Sequence, residues 1–261
     1  MLDFKRFMFD PDEKPLDRIC DDGGFISIFR KICCIGDSLA SGELESFSEG
    51  KRGWHDMFEY SWGQYIARMA GTTCYNQSRG GMTAKEFITS YADKMGYWDE
   101  KYLSQCYIIA LGVNDCCNRK MAVGSFDDYN AAEPVESFAY YYSLILKKIR
   151  SLQPNARIFL VSMPHYNENH RDVINEHCKC LKQFCDNLER TYLIDLTNNS
   201  PAQDDEFRRR FKVGGHLNAA GYYVIAKMIA SYVDYIIRKY PEEFSLSGFI
   251  GTDHTYEGFM R

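Results

Sequence analysis

Five short strand candidates punctuate this chain, at 31–35, 72–75, 106–111, 157–163 and 191–196, of which 31–35 and 106–111 are apolar runs, and helix-patterned segments separate them. Runs of this length, bounded by turn residues, read as buried strands. Between them, 57–69 reads as an amphipathic helix and 170–190 as a helix. In 83–92, Thr83 stands as N-cap with Glu86 three residues on, the spacing of a capping box. Val135, Phe138, Tyr142, Ile145 and Ile149 share one helical face. Asn218 heads a long helix whose stripe includes Tyr222, Ile225, Ile229, Val233, Ile236 and Ile237, and Pro241 follows its end. Strands alternating with helices predict an α/β protein, with a parallel sheet and helices on both faces.

In such folds ligands bind beyond the carboxyl ends of the strands, so the residues that follow each run carry the functional information. Ile32-Cys33-Cys34-Ile35 empties directly into Gly36-Asp37-Ser38-Leu39. That places a hydroxyl on a tight strand-to-helix turn, where a serine is a candidate nucleophile if a base and an oxyanion site lie within reach. Three further blocks follow in order: Asn76-Gln77-Ser78-Arg79-Gly80-Gly81, Gly112-Val113-Asn114-Asp115 and Gly214-Gly215-His216.

Composition narrows the classes. The chain has 261 residues, 45% apolar and 15% aromatic, enough for one large core, and a net charge of −5. Its one cationic run, Arg208-Arg209-Arg210, reads as a solvated helix face, so no nucleic-acid partner is expected. No apolar stretch approaches the roughly 18 residues of a membrane span, and the N-terminus lacks a signal-peptide core. A cytoplasmic location without membrane association is expected. The ten cysteines lack Cys-x-x-Cys spacing and read as buried thiols, not disulfides or metal ligands. No Gly-x-Gly-x-x-Gly follows a strand and no Walker-type Gly-Lys-Ser/Thr occurs, which disfavours a flavin or nucleotide site. Residues 1–30 read as an N-terminal extension carrying Phe4, Phe7 and Phe9, 31–240 as the domain, and 241–261 as an irregular tail. The oligomeric state is not legible.

The four blocks, in this order and context, resemble the GDSL/SGNH hydrolases, a serine esterase and lipase family named for Ser, Gly, Asn and His in successive blocks. The resemblance covers about residues 31–235. It implies a three-layer α/β/α fold with a flavodoxin-like parallel sheet. It implies Ser38 as nucleophile and His216 as base. It also implies an oxyanion site from the N–H of Ser38, the N–H of Gly81 (with Gly80 the neighbouring alternative) and the side-chain amide of Asn114. Asp37 and Asp115 are expected to brace loops by accepting backbone hydrogen bonds. Arg79, inside the second block, is a candidate substrate contact. His165, at a strand end, is a candidate for the pocket wall. No metal and no cofactor are implied.

The chain departs from the pattern at one place. Most members carry an aspartate three residues before the histidine, and here that position is Val213. Three explanations compete: a Ser-His dyad whose imidazole is held by a backbone carbonyl, a carboxylate from elsewhere such as Asp204, Asp205 or Glu206, or an impaired site. The dyad is preferred. The stretch from Glu43 to Gly53 is polar and Gly/Ser-containing, so it reads as a loop beside the serine, holding Glu43 and Glu45, with Trp54 just beyond. The expected activity is hydrolysis of a small acyl ester, preferably an acetyl ester of a carbohydrate or similar polar alcohol, through an acyl-enzyme. A lysophospholipase or thioesterase is the alternative on the same site, and a non-catalytic binding module is the alternative of a different class, because of Val213.

Overall fold

A computed structural model describes residues 4–256. In chain order the strands are β1 (Lys31–Gly36), β2 (Glu43–Ser48), β3 (Lys51–Asp56), β4 (Thr73–Ser78), β5 (Cys106–Ala110), β6 (Arg157–Val161), β7 (Thr191–Ile194), β8 (Lys212–Val213) and β9 (His216–Leu217). The helices are α1 (Ser38–Ser41), α2 (Trp62–Ala70), α3 (Ala84–Glu86), α4 (Ala92–Lys94), α5 (Phe138–Leu152), α6 (Arg171–Asn187), α7 (Leu196–Asn199), α8 (Asp205–Phe211), α9 (Ala219–Lys239) and α10 (Pro241–Phe244).

Five strands form one parallel sheet in the order β4-β1-β5-β6-β7. The chain leaves β1 toward one edge, then returns past it to build the other side, which is the flavodoxin-like order. The crevice therefore opens where β1 and β5 diverge, beyond their carboxyl ends. Strand residues alternate between two cores. Ile32, Cys34, Ile108, Phe159 and Ile194 pack under α2 and α9, while Cys33, Ile35, Ile109, Ile158 and Leu160 pack under α5 and α6. Burial on both faces explains why β1, β5 and β6 are nearly continuously apolar, while edge strand β4 is not. The result is three layers, α/β/α.

Caps set the helix starts. Thr83 Oγ1 accepts from Glu86 N at 3.0 Å, and Asn218 Oδ1 accepts from Gly221 N at 2.9 Å. α2 begins later than its apolar pattern suggests, because Ser61 Oγ caps Gln64 N at 3.3 Å and Phe58–Tyr60 forms a separate 3-10 turn. The helix expected over 83–92 contains a π turn, Phe87–Tyr91, between α3 and α4. The largest difference lies at 43–56. The expected loop is an antiparallel hairpin, β2–β3, paired from Glu43↔Asp56 to Ser48↔Lys51. Most of its residues are exposed or half-buried, so it has no buried face to impose an apolar alternation. The cysteines are free thiols, buried apart from half-buried Cys185.

The N-terminal extension, as far as it is described, packs on the domain. Phe9 meets Tyr235 edge-on, with ring centroids 5.5 Å apart, whereas Phe4 and Phe7 are exposed. Arg238 of α9 is buried between Asp234 (2.8 Å) and Glu13 (2.6 Å). A guanidinium between two buried carboxylates is poorly replaceable, since removing it takes the close cation from Asp234 and leaves Glu13 only the more distant Arg18 at 3.9 Å. Arg238→Ala is expected to lower the unfolding free energy by about 3–5 kcal/mol, read from urea denaturation.

Candidate active site

The turn after β1 is built around close approach. A Cβ on Gly36 would lie 2.4 Å from Ala40 Cβ and 2.8 Å from the Ala110 carbonyl oxygen, so only glycine lets α1 fold back here. Asp37 caps α1, its Oδ1 accepting from Leu39 N at 3.0 Å. Burial pushes its carboxyl up to about 7, and Asp115 and Glu43 add to this, against the Leu39 N–H. Ser38 is the first residue of α1. The Asn76 side chain ties the same turn to β4 by donating to Ala40 O at 2.9 Å.

His216 arrives from the opposite end of the chain. Its Nε2 lies 3.0 Å from Ser38 Oγ, and its Nδ1 lies 2.7 Å from Glu45 Oε1. The orienting carboxylate is thus Glu45 on β2. This corrects the expected dyad: the imidazole partner is a side-chain carboxylate, not a backbone carbonyl. It also corrects the named substitutes, since Asp204 caps α8 through Phe207 N at 2.8 Å, with Asp205 and Glu206 on that helix. Val213 pairs with His216 across β8–β9 and is 52% exposed.

Glu45 is itself fixed on both oxygens. Oε1 also accepts from Gly215 N at 2.7 Å, and Oε2 pairs with Arg52 Nε at 2.6 Å across the hairpin. Burial opposes ionisation, but the hydrogen bonds from His216 and Gly215 and the charge of Arg52 outweigh it and hold the carboxyl below its usual range. Gly214 has φ of 64°, and a Cβ there would lie 2.1 Å from Glu45 Oε2. The Gly-Gly before His216 is therefore the space the carboxylate occupies, and it is the signal in the sequence that could have pointed to a carboxylate approaching from outside the loop.

Asn114 and Gly81 line the same cavity as Ser38 and His216. Asn114 Nδ2 donates to Met82 O at 3.1 Å and lies 3.5 Å from Asp37 Oδ2, while its Oδ1 accepts from Asn118 Nδ2 at 2.8 Å. These contacts set the amide's nitrogen toward Met82 and Asp37 and its oxygen toward Asn118. The two glycines separate cleanly. Gly80 N donates to Asp56 Oδ1 at 3.1 Å, whereas the Gly81 N–H makes no hydrogen bond among the described residues, and a Cβ on Gly81 would meet open space. The cavity measures about 550 Å³, within the range of sites for drug-sized ligands. Its inner wall is apolar, with Val161, Leu196, Ile225 and Ile229, and Trp54 lies at its hairpin side.

Two expected contacts are placed elsewhere. The Arg79 guanidinium pairs with Glu86 at 2.6 Å and stacks 4.7 Å from the Tyr91 ring centre, and Arg79 is not among the cavity residues. Pro164 and Tyr166 line the cavity but His165 between them does not. Sequence reasoning also missed Tyr222, whose hydroxyl donates to the carbonyls of Ser38 (3.2 Å) and Glu43 (2.8 Å), binding α9 to both sides of the site.

A model of the GDSL-like lipase/acylhydrolase family matches residues 34–224, most of the chain and all four blocks. The chain belongs to this family. It is a GDSL-type serine ester hydrolase. Solved structures share the fold. A family 3 carbohydrate esterase of Clostridium thermocellum is 17% identical, with a TM-score of 0.54 over 80% of this chain and 97% of that one. A family two carbohydrate esterase of the same organism, in complex with cellohexaose, is 15% identical with a TM-score of 0.56 over 88% and 66%. A Corynascus thermopiles family 2 enzyme is 16% identical with a TM-score of 0.54 over 79% and 66%. No curated protein matches the sequence. Among the described residues no helix is long and apolar enough to cross a membrane.

Asp115, next to Asn114, is the second buried carboxylate of this GDSL site. It accepts from Ala84 N at 2.9 Å and so holds the start of α3 against the β5 loop. Burial raises it to about 6, opposed by backbone N–H groups. A raised carboxyl favours the fold most when protonated, and that advantage is lost as pH rises toward about 6. Between about pH 4 and about pH 7 the native chain is therefore expected to lose about 2–3 kcal/mol relative to Asp115→Asn, measured as the difference in their urea unfolding free energies at each pH.

Proposed function

We propose that the chain hydrolyses a carboxylic ester through an acyl-enzyme on Ser38. The observation that carries this reading is the continuous chain Ser38 Oγ to His216 Nε2 (3.0 Å) and His216 Nδ1 to Glu45 (2.7 Å). With Nδ1–H given to the carboxylate, Nε2 is left as a base facing the hydroxyl. Ser38 Oγ attacks the carbonyl carbon as Nε2 takes its proton. The oxyanion is met by the N–H groups of Ser38 and Gly81 and the Asn114 amide, donors each worth roughly 2.7–4 kcal/mol of barrier. Nε2 then gives its proton to the departing alcohol oxygen as the ester C–O bond breaks. Water attacks the acyl-enzyme with Nε2 again as base. The Ser38–acyl bond breaks, the acid leaves, and the proton returns to Oγ.

The preferred substrate is a short acyl ester of a carbohydrate or similar polyhydroxy alcohol. Glu43, Asn118 and Gln203 on the cavity wall support a hydroxylated alcohol, and Trp54 offers a face for a sugar ring. The fold neighbours named as carbohydrate esterases point the same way, by analogy. A second reading, a lysophospholipase or thioesterase, is favoured by the apolar wall of Val161, Leu196, Ile225 and Ile229, which suits a longer acyl chain. A binding-only module loses its main support, because His216 does have an orienting group.

A fluorophosphonate probe is expected to add once to the native protein and not to Ser38→Ala, read by intact mass. No adduct on folded native protein would overturn the reading. Glu45→Gln is expected to lower kcat by about 10²–10⁴-fold with little change in KM, checked by steady-state kinetics. With p-nitrophenyl esters of increasing chain length, a maximum kcat/KM at acetate supports the short-acyl reading. A maximum at six carbons or more supports the second.

A further inference from the structure

Glu43 is a carboxylate on the cavity wall that this mechanism leaves unused. It opens β2, two residues before Glu45 and on the same side of the strand. Its carboxylate is about nine-tenths buried, and Oε1 lies 3.1 Å from His216 Nε2, the atom that also faces Ser38. Oε2 lies against the bare backbone of Gly80, where a Cβ would come within 2.0 Å of it. It accepts no hydrogen bond from any described residue, although the side chain lines the cavity. Burial raises the Glu43 carboxyl, Asp56 and Glu45 add to this, and His216 opposes it. Oε2 is therefore free to accept from a donor that reaches it from the cavity.

The reaction geometry says where that donor comes from. To protonate the departing alcohol, Nε2 must come within about 2.6–3.2 Å of the leaving oxygen. Glu43 stands beside that same nitrogen, so it neighbours the leaving alcohol and not the acyl chain. A hydroxyl on the carbon next to the ester-bearing carbon can reach this carboxylate while the leaving oxygen stays within reach of Nε2. We infer that Glu43 is a specificity-determining residue whose carboxylate accepts a hydroxyl that the leaving alcohol carries beside the ester, so that the enzyme selects monoesters of vicinal diols such as sugars and glycols. This rests on the esterase reading above.

The probe is a pair of esters differing in one hydroxyl, the ethyl and 2-hydroxyethyl esters of whichever acyl group the chain-length series turns over fastest. The native enzyme is expected to favour the 2-hydroxyethyl ester in kcat/KM by about 10–100-fold. Glu43→Leu, which removes the acceptor, is expected to bring the ratio close to one, and Glu43→Gln, which keeps a carbonyl acceptor, to restore part of it. A merely structural Glu43 would change both esters alike and leave the ratio where it was. A native ratio near one, or a ratio unchanged in Glu43→Leu while the fluorophosphonate still labels Ser38, overturns this inference and leaves the esterase reading standing. Absence of labelling in the native protein removes both.

Discussion

The contact between Glu45 and His216 is what makes the rest of the site intelligible. A neutral imidazole has two tautomers, and only the one with its proton on Nδ1 leaves Nε2 able to take a proton from Ser38. A carboxylate at 2.7 Å from Nδ1 selects that tautomer and stabilises the imidazolium that forms. Glu45 can do so only because it is held ionised, by Arg52 on one oxygen and the Gly215 N–H on the other. The arrangement is a chain of dependencies in which every oxygen of the acid has a fixed partner before it meets the histidine.

The carboxylates around Ser38 are sorted by their surroundings. Asp37 and Asp115 are buried against backbone N–H groups, and the charge of Arg119 near Asp115 is too weak to offset that burial, so both are raised. Glu45 has a guanidinium and an imidazole, and its charge is retained. Glu43 shares the imidazole but has no cation of its own within ion-pair distance among the described residues. Side chains of one type therefore do different work: two brace the loops after β1 and β5, one orients the base, and one presents an acceptor to the cavity.

Much of this was legible in the sequence because it depends on local pattern. Continuous apolar runs such as Ile32–Ile35 report burial on both faces, and Thr83 and Asn218 declare their helices through caps that the structure contains. Ser38, Gly81, Asn114 and His216 sit at strand ends or before a helix, where a parallel sheet gathers such positions at one edge. The hairpin was not legible. Glu43 to Asp56 is polar on both faces, so no alternation marked it, and a residue 171 positions from His216 carries no spacing signal. Arg79 lies off the cavity wall for a related reason. Its neighbours along the chain suggested a substrate contact, but Glu86 and Tyr91, one helical segment on, offered the guanidinium a closer partner.

Moving the acid from the histidine loop to a hairpin changes what the active site depends on. An acid three residues before the histidine would be held by a short loop, largely independent of the remaining chain. Glu45 reaches Nδ1 only while β2 stays docked against β9, and that docking rests on few anchors. Tyr222 holds the Glu43 carbonyl, Asp56 joins Ser41 to Gly80, and Glu45 accepts from Gly215 N beside β9. An exposed two-stranded ribbon has little intrinsic stability, so its docked state belongs to the lower-stability part of the fold. Orientation of the base is therefore coupled to the same segment that brings Glu43 and Trp54 to the cavity. A ligand that contacts those two residues favours the docked hairpin, and so favours the arrangement in which His216 can act.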